Sequence, residues 1–413
     1  MASQTPFGEI NLSIIGLGTQ YPPHEIKHSA LSILSEKFYP ETESMRKVLA
    51  VNQCTGIESH SAIGTFDNPL LNQDKPPSIK EIHETFMSNG VPLAVSAARK
   101  AIKESGIDLS QITHIVSTTC TDSANPGFDF YLAKDLGITH QVEKVLLHGV
   151  GCSGGLATLR TGANLALGHT ARGRPARVLC VALEVCTTLV RSELDSINEL
   201  QETRIGACLF SDGAGAVVLS NGIGEPAQSV YDLLGWDHRI IPDTEDDLGF
   251  NVDPVILTPR VPKMTSAAIK PVFEDLKASL PNLPAEYQQP SHFDWAMHPG
   301  GATILTGAER AMGISPEHMR ASYDIYINHG NSSSAAIFSV MDRLRTKDMD
   351  AMAPSGCVRD YVVGCAFGPG ISVEMCMLKR NTGRGSNSRI IHGMQTPPEP
   401  GSECANGNLS DSG

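Results

Sequence analysis

One cysteine set among glycines, in the run Gly149, Val150, Gly151, Cys152, Ser153, Gly154, Gly155, stands where the apolar residues Val145, Leu146 and Leu147 meet a helix of small residues. A thiol at a helix start lies among backbone N–H groups with no intrahelical partner, whose partial positive charge favours its anion. Cys152 is therefore expected to be a thiolate near neutral pH, the more so beside an imidazolium. Thiolates attack thioesters and form a second thioester of similar energy, so an acyl group is parked without being lost. His298 follows the apolar run Phe293, Asp294, Trp295, Ala296, Met297 and precedes Pro299, Gly300 and Gly301, at a strand end where sites are commonly built. Asn331 lies in Asn328, His329, Gly330, Asn331, Ser332, Ser333, Ser334, Ala335. An imidazole beside a neutral amide is what an enolate oxygen needs when a malonyl thioester loses carbon dioxide. Each residue also has a plainer role, as a buried thiol, a packed histidine or a helix cap. The flanking glycines set Cys152 apart from the other cysteines, and the three segments together describe a Cys, His, Asn acyl-transfer site.

The elements that must hold these residues alternate between strand and helix. Residues 91–104 place Ala94, Ala97, Ala98, Ala101 and Ile102 on one face, which predicts an amphipathic helix with Pro92 in its first turn. Residues 112–117 are a β-branched run and read as a strand. Further strands are expected at 145–147, 178–183, 214–219, 323–327, 361–363 and 371–377, and helices at 155–167, 302–312 and 333–344. Such alternation indicates an α/β protein with layered sheets and helices. Phe210, Ser211, Asp212, Gly213 and Phe367, Gly368, Pro369, Gly370 are each a glycine turn feeding an apolar strand, which suggests that the chain is a duplication. Its halves are placed at 1–225 and 226–380. Residues 221–290, rich in proline and acidic side chains, read as a connection between them. The polar tail, 381–413, buries too little apolar area to offset its ordering entropy and is expected to be disordered.

The 413 residues, 41% of them hydrophobic, suffice for two domain-sized units or one large duplicated core. A formal net charge of −13 argues against a nucleic-acid partner. No apolar run is long enough for a membrane span and the first residues lack a signal-peptide pattern, so a soluble cytoplasmic enzyme is expected. The ten cysteines show no paired metal-ligand spacing, and most read as reduced core thiols.

The three motifs, their order, and the run Ala366, Phe367, Gly368, Pro369, Gly370 resemble the type III polyketide synthases, the chalcone synthase-like branch of the thiolase fold. The resemblance spans about Ile10 to Arg380. It implies duplicated βαβαβ halves in five αβαβα layers, and a homodimer that takes acyl-CoA and malonyl-CoA directly, with no carrier protein, metal or redox cofactor. By resemblance Cys152 carries the starter and the growing chain, while His298 and Asn331 stabilise the enolate. Phe210 matches the family's gate between the inlet tunnel and the cavity. Arg46 and Lys47 fall where relatives bind the phosphates of coenzyme A. Thr119, Glu184 and Ser333 match positions that in relatives form a relay switching lactone to aldol closure; the plainer reading has Thr119 ending a strand, Ser333 starting a helix and Glu184 paired locally. Phe250 stands where chalcone synthases carry glycine, a departure shared with fungal synthases that take long fatty acyl starters and make alkylpyrones, alkylresorcinols or resorcylic acids. Ketoacyl synthase III, the main alternative, normally has Gln, Ala, Asn after its histidine, where this chain has Pro299, Gly300 and Gly301. A non-catalytic acyl-thioester-binding protein is the remaining reading.

Overall fold

The computed structural model describes residues 8–138, 141–224, 228–250, 255–381 and 394–397. Its main-sheet strands are β1 (Leu12–Gln20), β2 (His114–Thr118), β3 (Glu143–Leu147), β4 (Arg177–Val185), β5 (Asp212–Ser220), β6 (Tyr231–Ile240), β7 (Asp294–Met297), β8 (Tyr361–Gly368) and β9 (Ser372–Arg380). The helices that matter below are α1 (Glu43–Cys54), α2 (Val91–Ser105), α3 (Phe128–Leu136), α4 (Gly154–Thr170), α5 (Val190–Leu200), α6 (Val261–Ala278), α7 (Ala302–Met312), α8 (Arg320–His329) and α9 (Ala336–Leu344).

β4 and β5 carry apolar side chains along nearly their whole length because both of their faces are covered, and every residue of each is buried. The sheet order is β7-β8-β9-β6-β1-β5-β4-β2-β3. In the first half β1 pairs antiparallel with β5, β5 antiparallel with β4, and β4 parallel with β2. The second half repeats the series, with β6 antiparallel to β9, β9 antiparallel to β8, and β8 parallel to β7. The duplication is thus visible as one pairing pattern used twice. The halves join where Leu12, Ser13 and Ile14 of β1 pair with Leu233, Asp232 and Tyr231 of β6.

Helices α4 and α9 touch strands of both halves and form a central layer, while α2 and α3 cover the outer face of the first half and α6 and α7 that of the second. Five layers result, in a thiolase-like fold. Ile337, Phe338, Val340 and Met341 of α9 are fully buried in the central core, whose apolar area removed from water is the main stabilising contribution.

Two sequence expectations are corrected here. Residues 323–327 form part of α8, not a strand; Tyr323, Ile325, Tyr326 and Ile327 are all buried, and a helix buried on most sides leaves a short apolar run with no helical period to read. Residues 221–290 are not mere connection. They supply β6, which joins the half-sheets, and the 18-residue α6, with Pro262 in its first turn and Pro271 inside it, whose Ile269, Val272, Phe273 and Leu276 are fully buried. The disorder expected for 381–413 falls almost wholly outside the described residues; within them, Met394 packs against the core of the second half.

Candidate active site

Cys152 sits in a single 3-10 turn, Gly151–Ser153, between β3 and α4. Two constraints force its position. Gly151 has φ +47°, a left-handed conformation that glycine adopts freely. A Cβ on Gly155 would lie 2.5 Å from the Ser334 carbonyl oxygen, and one on Gly154 2.7 Å from Thr118 Oγ1. The glycines after the cysteine therefore let α4 press against the segment that precedes α9. That contact brings Cys152 Sγ within 3.5 Å of Ser333 Oγ.

His298 follows β7 and extends its ladder, its N–H donating to the Cys365 carbonyl at 2.8 Å. The side chain is 2% exposed, and neither Nδ1 nor Nε2 has a hydrogen-bond partner among the described residues. Burial pushes its pKa down to about 3, so the ring is neutral at physiological pH. Asn331 follows α8 and is tied to the gate position: its N–H donates to Leu209 O at 3.0 Å, and its carbonyl accepts from Ser211 N at 2.9 Å, on either side of Phe210. Its Nδ2 donates to Gly300 O at 3.4 Å, which links it to the His298 loop. Its Oδ1 accepts from Ser333 N at 2.8 Å, holding Ser333 at φ +45° with its hydroxyl toward Cys152.

The expected resting thiolate is not what this arrangement favours. Burial pushes the Cys152 thiol up to about 11; hydrogen bonds from Ser333 and Asn331 pull it down, while the Glu184 charge pushes it up. With His298 neutral, no imidazolium stands by to offset that burial. In the ligand-free site the uncharged forms of both thiol and imidazole are favoured.

Glu184, fully buried as the penultimate residue of β4, is the hub of a second network. Its carboxylate accepts from Thr119 Oγ1 at 3.2 Å, Thr121 Oγ1 at 3.1 Å, Cys120 N at 3.0 Å and Cys120 Sγ at 3.3 Å, and from the Ser334 hydroxyl. Burial raises its pKa against the pull of these donors. The expected grouping of Thr119, Glu184 and Ser333 is thus modified. Thr119 meets Glu184 directly, whereas Ser334 takes the place expected of Ser333, because Ser333 turns toward Cys152 and reaches the network through Cys120 Sγ at 3.6 Å. Cys120, Thr121 and Ser334 were missed by the sequence reading. A signal existed: β2 pairs with β4 as β7 pairs with β8, so residues 119–121 occupy the place after β2 that His298 occupies after β7.

A cavity of about 470 Å³ opens onto Cys152 and Ser333, walled by Cys186, Leu189, Val190, Ala207, Phe210, Leu248, Phe250 and Val255 among others. Phe250 ends the short strand Leu248–Phe250, paired with Val255–Leu257, and lines this cavity as does Phe210. Arg46 and Lys47 lie elsewhere, on the exposed face of α1 beside Glu41 and Glu43.

A nucleophilic thiol opening onto a largely apolar cavity, a carboxamide hydrogen-bonding toward it, and a buried neutral imidazole on the loop that this carboxamide ties down, in a thiolase-like fold, define a thioester-handling acyltransferase. Residues 62–223 match the family Chalcone and stilbene synthases, N-terminal domain, and residues 237–382 its C-terminal domain; the chain belongs to the type III polyketide synthases. It is 38% identical to the type III polyketide synthase pspB of Penicillium soppii, over 89% of this chain and 96% of that one. It is 36% identical to the acylalkylpyrone synthase csyB of Aspergillus oryzae, over 90% and 94%. Among solved structures, the fungal type III polyketide synthase ORAS matches with a TM-score of 0.89 at 65% identity, covering 90% of this chain and 100% of that chain. CsyB complexed with CoA-SH matches at 0.85 and 36%, with 90% and 100% covered.

Proposed function

We propose that this chain condenses a medium- to long-chain fatty acyl-CoA with several malonyl-CoA units on Cys152 and cyclises the product to alkylpyrones, alkylresorcinols or resorcylic acids. The observation that carries the reading is Cys152 opening onto an apolar cavity, with the buried His298 ring nitrogens, which have no partner among the described residues, on the loop that Asn331 Nδ2 ties down. Buried polar atoms are costly unless a ligand satisfies them, and a thioester carbonyl or its enolate oxygen does so. In this scheme Cys152 Sγ attacks the starter thioester carbonyl, coenzyme A leaves as its thiol, and the acyl chain stays on sulfur. Malonyl-CoA then binds with its thioester oxygen toward His298 and Asn331, loses carbon dioxide, and the enolate carbon attacks the acyl-sulfur carbonyl, freeing Cys152. Repetition lengthens the chain within the cavity behind Phe210.

The aliphatic part of the starter fits the wall formed by Leu189, Val190, Leu248 and Phe250, where each buried methylene is worth about 0.8 kcal/mol. Glu184 with Thr119 supports aldol closure, as a buried carboxylate able to orient a hydroxyl or water; Ser333 acts beside the nucleophile instead. Coenzyme A thioesters enter free, with no carrier protein, and Arg46 and Lys47 at the surface meet the phosphates. The enzyme works as a cytoplasmic homodimer; β3 is an edge strand whose Val145, Leu146 and Leu147 stay half-exposed, a free ladder suited to a second copy.

The test is to incubate the protein with starters from acetyl- to stearoyl-CoA and malonyl-CoA and to read products by mass spectrometry. Triketide and longer pyrones or resorcinolic products, with yield peaking at medium or long chains, are expected. A single condensation only, a requirement for acyl carrier protein, or no product and no carbon dioxide would reject the proposal.

A further inference from the structure

At the far end of the nucleophile helix a second set of chemically capable side chains converges. His114 opens β2 and Glu143 opens β3, and the parallel register sets the two residues opposite each other. His169 lies in the last turn of α4. One potential ligand atom from each of the three lies within 4.8 Å of the other two. His114 Nε2 stands 3.8 Å from a Glu143 carboxylate oxygen, and the two imidazole centroids are 4.7 Å apart.

Hydrogen bonding outside the cluster decides which nitrogens are free. His169 Nδ1 lies 3.0 Å from the Pro175 carbonyl, which can only accept, so Nδ1 carries the proton and Nε2 keeps its lone pair. His114 Nδ1 lies 2.8 Å from Thr113 Oγ1. That hydroxyl donates to the Arg177 carbonyl at 3.1 Å and accepts from the Arg177 N–H at 3.0 Å. With its hydrogen directed to that carbonyl, the hydroxyl accepts from the imidazole N–H, and this tautomer leaves Nε2 of His114 with its lone pair. Two imidazoles oriented through Nδ1 by backbone or hydroxyl oxygens, with Nε2 of His114 facing the Glu143 carboxylate, have the outer hydrogen bonds that metal-binding histidines use.

We infer that His114, Glu143 and His169 form a binding site for a borderline divalent cation of the Zn²⁺ class, with water completing its shell. Two imidazole nitrogens and one carboxylate oxygen suit zinc and its first-row neighbours better than calcium or magnesium, which prefer all-oxygen shells. Ligand atoms on one zinc are at most about 4 Å apart, given bonds of about 2.0–2.1 Å. Glu143 is mostly exposed, with 77% of its side chain accessible, so its carboxylate is free to adjust to an ion by a change of rotamer. The last carbonyls of α4 add negative potential that favours a cation there. The 17 residues of α4 put the site about 25 Å from Cys152. The ion is therefore a clamp, fastening the nucleophile helix to the first residues of two strands, and takes no part in condensation.

The test strips the full-length protein with a chelator, desalts it, and titrates Zn²⁺ by calorimetry, with metal content read after gel filtration. His169→Ala and Glu143→Gln are run in parallel, since both side chains are accessible and their loss leaves the core intact. The expected result is one equivalent of zinc per wild-type chain, a rise in melting temperature on binding, and at least about a tenfold loss of affinity in each variant. Substituted Co²⁺ should give a visible spectrum without thiolate-to-metal charge transfer. No tight binding by wild type, unchanged binding in either variant, or a thiolate charge-transfer band placing the ion on cysteines would overturn the inference.

Discussion

Replacing His298 by leucine separates a functional imidazole from a packing one. Leucine has nearly the same volume and lacks the two ring nitrogens, both buried and without partners among the described residues. In the neutral ring one nitrogen donates and one accepts, and a buried unsatisfied group costs about 1–3 kcal/mol. The change of shape beside Gly300, where a Cβ would lie 3.3 Å from His298 Cδ2, costs less than about 1.5 kcal/mol. The balance leaves His298→Leu as stable as wild type or more stable by up to a few kcal/mol. Condensation should nevertheless fall about 10²–10³-fold, the usual loss when one oxyanion donor is removed. Thermal unfolding without ligand and initial rates with saturating malonyl-CoA measure the two quantities on the same preparations. A variant destabilised by more than about 2 kcal/mol with activity within tenfold of wild type would mean that the imidazole packs rather than reacts, and the reasoning about its orphan nitrogens would be wrong.

Other expectations follow from the same geometry. Because burial holds the Cys152 thiol near 11, the thiolate is the minor form at neutral pH, and iodoacetamide labelling of the ligand-free enzyme should rise about tenfold per pH unit from pH 7 to 9; a plateau below pH 7 would show a thiolate already formed. Glu184→Ala leaves the Cys120 N–H unpaired, while Thr119 and Thr121, 3.2 Å apart, can rotate to bond each other. A loss of about 1–3 kcal/mol in denaturant unfolding is expected, with aldol products falling relative to pyrones; an unchanged product ratio would remove Glu184 from cyclisation. Asp294 forms a bidentate pair with Arg320 at 2.8 and 2.7 Å, both side chains fully buried at the start of the strand that leads to His298. Asp294→Ala should cost about 3–5 kcal/mol by leaving an uncompensated charge, and a melting temperature equal to wild type would contradict it.

What the sequence made legible was local chemistry next to strong punctuation. The glycines around Cys152 and after His298 mark backbone close approaches, and the apolar runs before them lead into the site as the strands Glu143–Leu147 and Asp294–Met297. The helix over 302–312 was read to the residue, its alanines and apolar positions sharing one face and Gly313 ending it at φ +63°. The α8 segment was hidden because tertiary burial erased its period, and β6 was hidden because its alternation of buried and half-exposed residues includes Asp232, Asp237 and His238. Glu184 was recognisable as a carboxylate that needed partners. Which partners it found depended on the turn of Ser333 to positive φ, a conformation that no residue pattern announces for serine. The opposing pull on Cys152 is hidden for a related reason: the helix start is visible in sequence, whereas the burial that pushes its thiol up arises only in the folded site.

The most direct measurement is the mass of the acylated enzyme. Full-length protein mixed briefly with a long-chain fatty acyl-CoA in the absence of malonyl-CoA, then acid-quenched and digested, should carry one acyl group on the peptide containing Cys152 and none in Cys152→Ala. Acylation of Cys120 instead, or an unmodified Cys152 at times when coenzyme A has been released, would contradict the account.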